Sequence, residues 1–251
     1  MQPLRDSVVL ITGGSQGVGL GIARAFLDEG AAVVTCARSE FEKPPAARND
    51  AEIERSMHVS ADIRDDAEID RIVEATLDRF GRLDVLVNNA GGQPPTDTAT
   101  ASPRFLRAII DLNLTAPLLL AQRAYQVMEK QDTGGCVINI SSQASMSKGT
   151  GGTLAPYGAA KAGLNHLTRS LGSAWGRKVR VNCISLGWVE TPAMSDLLLT
   201  DPERKHSYIE GIPVGRMGTP EEVGGVCVFL TSPQASYING ATLWFDGGGG
   251  F

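Results

Sequence analysis

The sequence predicts an open α/β sheet built from buried parallel strands. Short β-branched runs alternate with stretches whose apolar residues recur at spacings of three and four. The runs are apolar at nearly every residue rather than every second one, as in strands covered on both faces. A glycine-rich turn, Thr12-Gly13-Gly14-Ser15-Gln16-Gly17-Val18-Gly19, joins the first run directly to the first helical stretch.

Strands are expected at 8–12, 32–36, 57–60, 83–88, 136–141, 179–184 and 241–245. Helices are expected at 17–29, 66–80, 103–130, 155–175 and 220–230, several of them preceded by the Ser, Thr, Asp or Pro that starts helices. Two regions break the alternation. In 39–56, Pro44-Pro45 argues against a regular helix, and 186–218 is a long excursion of the kind that often carries function. The glycine-rich stretch 148–153 reads as a flap beside a site or as a plain surface loop. No linker and no repeat divides the 251 residues, so one domain spanning 1–251 is expected.

Composition narrows the function. Apolar residues make up 42% and charged residues 20%, which supplies a core and excludes disorder. Net charge is -5, from 23 Lys and Arg against 28 Asp and Glu, and no basic patch forms, which speaks against nucleic acid as a partner. Apolar stretches such as 117–121 fall far short of the ~20 residues of a membrane span, and residues 1–6 contain no signal-peptide core, so a cytoplasmic protein free of membranes is expected. Cys36, Cys136, Cys183 and Cys227 are scattered without Cys-x-x-Cys pairing and read as buried thiols. His58, His166 and His206 lack ligand spacing, so no metal is expected.

The glycine turn has the form of a phosphate cradle. Glycines at 13, 17 and 19 allow a tight turn and close backbone approach, and the amides at the helix start face an anion. No Gly-Lys-Ser/Thr follows, which excludes a Walker loop. In a dinucleotide-binding unit the end of the second strand meets the adenosine ribose. There Ala37 removes the carboxylate that selects NAD, and Arg38, followed by Ser39, suits a 2′-phosphate. NADP(H) is favoured, with NAD(H) still open, because Arg38 could simply point into water near Glu40 and Glu42.

Tyr157-Gly158-Ala159-Ala160-Lys161 places a phenol and an ammonium four residues apart on one helix face. Lowering a tyrosine pKa of about 10 by about three units requires roughly 4 kcal/mol of preferential phenolate stabilisation. A positive charge at about 4 Å supplies that order at an effective dielectric near 20. Such a pair suits general acid/base work on an alcohol or ketone.

Thr12–Gly19, Asn88-Asn89-Ala90-Gly91, Asn113, Ile140-Ser141-Ser142 and Tyr157-x-x-x-Lys161 occur in the order found in short-chain dehydrogenases/reductases, and the ending Gly240-Ala-Thr-Leu-Trp-Phe-Asp-Gly-Gly248 is similar too. The chain resembles that family throughout. The resemblance implies a single-domain Rossmann-type doubly wound fold, a seven-stranded parallel sheet with helices on both faces, and hydride exchange between a nicotinamide coenzyme and a small-molecule alcohol or carbonyl. It implies that Tyr157 exchanges a proton with the substrate oxygen, that Lys161 lowers its pKa and bonds the nicotinamide ribose, that Ser142 polarises the substrate oxygen, and that Asn113 holds a water. The coenzyme would contact Gly13, Ser15, Gln16, Gly17, Val18, Gly19, Arg38, Ser39, Asp62, Ile63, Asn89, Ala90, Gly91, Tyr157, Lys161, Gly187, Val189 and Thr191. Asn89 could instead chiefly brace the central strands, and Asp62 cap a turn.

Some positions depart from the family pattern. Ser142 lies fifteen residues before Tyr157, longer than the family spacing, so Ser145 competes with it. Ser141 should face the other side of its strand. Leu186-Gly187 replaces the usual Pro-Gly, which should loosen that turn. Substrate walls are expected from Gln93, Pro94, Ser145, Trp188 and the segment 194–212 with Leu197, Leu198, Leu199, Tyr208 and Ile209. They suit a partly apolar substrate such as a 3-oxoacyl thioester, steroid or aliphatic ketone, unless those leucines pack only as a lid. The family also implies a homotetramer, with helices 103–130 and 155–175 at one interface and the last helix and strand at another. A non-catalytic NADP-binding sensor or assembly protein on the same fold is the alternative.

Overall fold

The apolar runs become seven strands, β1 (Val8–Thr12), β2 (Ala32–Ala37), β3 (Ser56–Ser60), β4 (Val85–Asn88), β5 (Gly135–Ser142), β6 (Val179–Leu186) and β7 (Thr242–Phe245). They pair in parallel in the order β3-β2-β1-β4-β5-β6-β7. The structure, a computed structural model, describes residues 4–146, 153–192, 194 and 209–249. Among these, the helices are α1 (Gly17–Asp28), α2 (Asp50–Glu54), α3 (Asp66–Phe80), α4 (Pro103–Ile110), α5 (Ala116–Met128), α6 (Ala155–Trp175) and α7 (Pro220–Thr231). The stretch 148–152 and Leu197, Leu198, Leu199 and Tyr208 lie outside the described residues.

Burial shows why the runs lack polar alternation. Val9 and Ile11 of β1, Val33 of β2 and Val87 of β4 face one layer with Ile22, Phe26 and Val223 of α1 and α7. Leu10, Val34 and Leu86, the neighbours in sequence, face the other layer with Ile69, Ile72 and Leu120 of α3 and α5. Period two persists, but both faces are apolar because both are covered. This is the expected Rossmann-type doubly wound fold. The chain winds from β1 outward to β3 and then returns to place β4 on the other side of β1. That reversal opens a crevice beyond the carboxyl ends of β1 and β4, where ligands bind in such sheets.

Two expectations need correction. The helix expected over 103–130 is divided by a π turn at Asp111–Thr115 between α4 and α5, closed by the Ala116 amide on the Asp111 carbonyl. Pro117 is the local cause, because it has no N–H to give to the Asn113 carbonyl four residues earlier. In 39–56, a single short helix, α2, does form after Pro44-Pro45, with the Asn49 side chain accepting from the Glu52 amide. Arg48 fastens it, bonding Glu52 at 2.8 Å and also reaching Asp28. All four cysteines are buried and unpaired. By length and composition alone, Pro103–Met128 is apolar enough to cross a bilayer. In the structure, Ala116, Leu120, Ala124 and Met128 form a stripe of it that packs into the core beside Leu86 and Val137.

Candidate active site

The glycine turn forms the floor of a cleft of about 540 Å³ at the carboxyl edge of the sheet. Gly13 and Gly17 adopt positive φ values of 66° and 52°, which residues with a Cβ rarely adopt. At Gly19 the constraint is space, since an added Cβ would lie 2.2 Å from the Gly13 carbonyl oxygen. Gln16 precedes α1 without capping it, and no acidic residue stands in the first turn. The first amides are therefore left for an anionic ligand. Asn89 braces this turn from just beyond β4, its Nδ2 donating to the carbonyls of Thr12 at 2.9 Å and Gly13 at 3.2 Å. The Thr12 hydroxyl in return accepts from the amides of Asn89 and Ala90.

Further along the cleft stand Tyr157, Lys161 and Ser142. The Ser142 Oγ accepts from the Ala144 amide at 3.2 Å, which leaves its own proton for the Tyr157 phenol oxygen. Lys161 is only 3% exposed, its Nζ donates to the Ile140 carbonyl at 2.8 Å, and it lies 5.6 Å from the centre of the Tyr157 ring. Burial pushes the lysine down to about 8. Burial also raises the phenol above its ordinary value, opposed by the Ser142 hydrogen bond. Burial sets the direction for the phenol, and the Lys161 Nζ, 5.6 Å from its ring centre, is tied to the Ile140 carbonyl. At neutral pH the tyrosine is a proton donor with a serine hydroxyl at its side.

The remaining expected residues divide into two groups. Gly13, Gln16, Gly17, Val18, Gly19, Arg38, Asp62, Ile63, Asn89, Ala90, Gly91, Gly187, Val189 and Thr191 line the cleft. Ser15 and Ser39 do not. Asn113, in the π turn, is fully buried and spends its amide on backbone. Its Nδ2 donates to the Gly92 and Ile109 carbonyls at 3.0 and 2.9 Å, and its Oδ1 accepts from the Gly92 amide at 2.9 Å. It thereby holds the 91–92 segment against Lys161, whose Nζ would lie 3.1 Å from a Cβ on Gly91.

Ser145 does not line the cleft, and its Oγ accepts from Asn165 Nδ2 at 3.0 Å. Ser141 turns away as expected and donates to the Lys161 carbonyl. Gln93 is not a free wall of the cleft. Its Oε1 accepts from the Tyr157 amide at 3.2 Å and its Nε2 donates to the Thr153 carbonyl at 2.7 Å, so it supplies from another loop the cap that Leu154 cannot give α6. Trp188 packs with Met194, Ile209, Ile212 and Met217. The turn at Leu186-Gly187 is not loosened: the Gly187 amide donates to the Phe245 carbonyl at 2.9 Å, and Val189 pairs with Gly218.

The sequence reading missed Arg64, which lines the cleft together with Arg38 and Asp62. Its Nε donates to Asp62 at 2.9 Å, its terminal nitrogen closes a second contact, and its amide bonds the same carboxylate at 3.1 Å. Arg64, with a smaller contribution from Arg38, holds the Asp62 carboxyl below its ordinary range. The signal was present in Asp62-Ile63-Arg64, an acid followed two residues later by a base, as in a turn closed by its own side chains.

This assembly defines a dinucleotide-dependent oxidoreductase with a serine–tyrosine–lysine cluster, and comparison with known proteins gives the family. Residues 13–249 match the family model described as enoyl-(acyl carrier protein) reductase. The chain is 36% identical to the L-fucose dehydrogenase of Oryctolagus cuniculus, covering 96% of this chain and 84% of that one, and 37% identical to that of Bos taurus, covering 96% and 88%. A crystal structure of a short chain dehydrogenase from Bacillus anthracis superposes with a TM-score of 0.85 at 32% identity, covering 99% and 98% of the two chains. The chain belongs to the short-chain dehydrogenase/reductase family, and it is an oxidoreductase acting on CH–OH groups with a nicotinamide coenzyme.

Proposed function

We propose that the chain is an NADP(H)-dependent enzyme interconverting a secondary alcohol and a ketone, with Tyr157 as general acid/base. The observation that carries this reading is the Ser142–Tyr157–Lys161 cluster at the open end of a cleft whose floor is an uncapped helix start. The coenzyme, when bound, supplies or takes the hydride. Every proton step falls to the protein. Tyr157 gives its proton to the carbonyl oxygen during reduction, and Ser142 donates a hydrogen bond to the same oxygen. The buried amine of Lys161, near its own pKa at physiological pH, stabilises the phenolate that results. The Asn113 carbonyl, which Pro117 cannot bond, is the group left to hold a water that resupplies the proton.

NADP(H) is favoured by Ala37-Arg38 at the end of β2 and by Arg64, which neutralises the nearby Asp62 carboxylate. Arg38→Ala should weaken NADPH binding by roughly 10- to 100-fold, the range of a charge-assisted contact, and leave NADH almost unchanged. Equal losses for both coenzymes in a fluorescence titration would count against the phosphate contact.

The described part of the substrate wall is apolar, with Trp188 and Met194 backed by Ile212 and Met217. It suits a carbonyl substrate with an apolar flank, such as an aliphatic or cyclic ketone or a 3-oxoacyl thioester. Purified protein should oxidise NADPH with such ketones. Turnover confined to L-fucose, the sugar two of its relatives are named for, would overturn this substrate class and leave the alcohol chemistry standing. Membership of the family supports a homotetramer, with α4, α5 and α6 at one interface and α7 and β7 at another. Light scattering should give four times the chain mass of 26.5 kDa, and a monomer would refute it.

A further inference from the structure

Arg38 and Ser39 leave the end of β2 at a corner whose carbonyls are held by groups from β3. The Ser60 hydroxyl donates to the Arg38 carbonyl at 3.1 Å. The His58 Nε2 lies 2.9 Å from the Ser39 carbonyl oxygen. A carbonyl only accepts, so Nε2 carries the proton and donates, and Nδ1 is hydrogen-bonded with the Thr35 hydroxyl at 2.9 Å. Phe41 packs edge-on against the imidazole from the far side of the corner, its ring centre 4.9 Å away.

The same contacts reach the phosphate cradle. Thr35 is buried in β2 and pairs with His58 across the sheet. Its methyl group fills the space over Gly14, where an added Cβ would come within 2.5 Å of it. One imidazole therefore connects the corner bearing Arg38 to the strand residue on which the glycine turn rests. Neither His58 nor Ser60 lines the cleft, so both act through the backbone they hold.

We propose that His58, seconded by Ser60, is a positioning residue for coenzyme selectivity: it fixes the Arg38–Ser39 corner so that the Arg38 guanidinium meets a 2′-phosphate. This rests on the NADP(H) reading above. The guanidinium has many rotamers, and a corner free to shift would spread its fork over positions that no longer match the phosphate. NADH carries only a neutral hydroxyl there, with no charge for the guanidinium to meet, and should register the change far less.

The test compares KM for NADPH and NADH in His58→Leu, His58→Gln and Arg38→Ala. His58→Leu removes the donor and should raise KM for NADPH about five- to tenfold, the effect of one lost hydrogen bond, with kcat unchanged and a much smaller rise in the NADH KM through the Thr35 contact with the glycine turn. His58→Gln places an amide N–H at similar reach and should restore most of the NADPH affinity. If His58→Leu weakens both coenzymes equally, or neither, while Arg38→Ala is selective, the positioning role is overturned and the coenzyme reading stands. If Arg38→Ala is itself unselective, the coenzyme reading fails and this inference fails with it.

Discussion

Replacing Tyr157 with Phe should reduce turnover by at least about a hundredfold, and up to the ten-thousandfold range typical of a lost general acid, while coenzyme affinity stays within about twofold. The ring packing survives the substitution, and only the oxygen that the Ser142 hydroxyl contacts is removed. Ser142 remains to polarise the substrate but has no proton to deliver at a useful pKa. The pH dependence follows from the direction of the phenol's shift. Burial raises its pKa, so the proton donor needed for ketone reduction is intact through neutral pH, and reduction should fall only in the alkaline range as the phenol ionises. Alcohol oxidation needs the phenolate and should climb over the same range. Steady-state rates in both directions across pH check this. A variant that retains full turnover, or a reduction rate that falls below neutrality, would refute the assignment.

Gly19→Ala should weaken either coenzyme by more than about a hundredfold, which is nearly 3 kcal/mol. Helix propensity alone predicts the opposite sign, because Ala is favoured over Gly by up to about 1 kcal/mol inside a helix. The position is decided instead by space. The added Cβ would lie 2.2 Å from the Gly13 carbonyl oxygen and 2.5 Å from Asn89 Nδ2, both too close for any real contact. The first turn of α1 and the glycine turn must then separate, and the amides that face the pyrophosphate lose their common aim. Because Asn89 braces the Thr12 and Gly13 carbonyls, the shift would extend into β4. Calorimetric titration with NADPH and with NADH reads the effect. Unchanged affinity would show that the glycine turn is structural and that the coenzyme sits elsewhere.

The parts of this account legible in the sequence depend on local periodicity. The strands were visible because burial on both faces leaves continuous apolar runs, and Tyr157 and Lys161 were visible because a helix sets residues four apart on one face. Ser142 could be placed at the end of β5, but its choice over Ser145 required knowing which of the two lines the cleft. Residues whose roles arise from other elements were misread or missed. Gln93 read as a substrate wall, yet it caps α6 across 64 residues of sequence. Arg64 read as an ordinary surface charge. The π turn was hidden inside a strong helical pattern because Pro117 looked like an acceptable helix residue, and its effect falls on a carbonyl four positions away. The burial that raises the Tyr157 phenol was hidden for a related reason: Coulomb attraction from Lys161 can be estimated from spacing, but the desolvation that opposes it follows only from the packed site.

The central claim is that the Tyr157 phenol stands beside the reacting carbon with Lys161 beneath it. A crystal structure of the protein with bound NADPH tests this most directly. The account predicts the Tyr157 hydroxyl facing the space over the nicotinamide ring, within hydrogen-bonding distance of Ser142, with the Lys161 ammonium contacting the nicotinamide ribose. A coenzyme seated in the cleft with that hydroxyl turned away and the ammonium out of reach would leave the reaction without a proton donor and contradict the account.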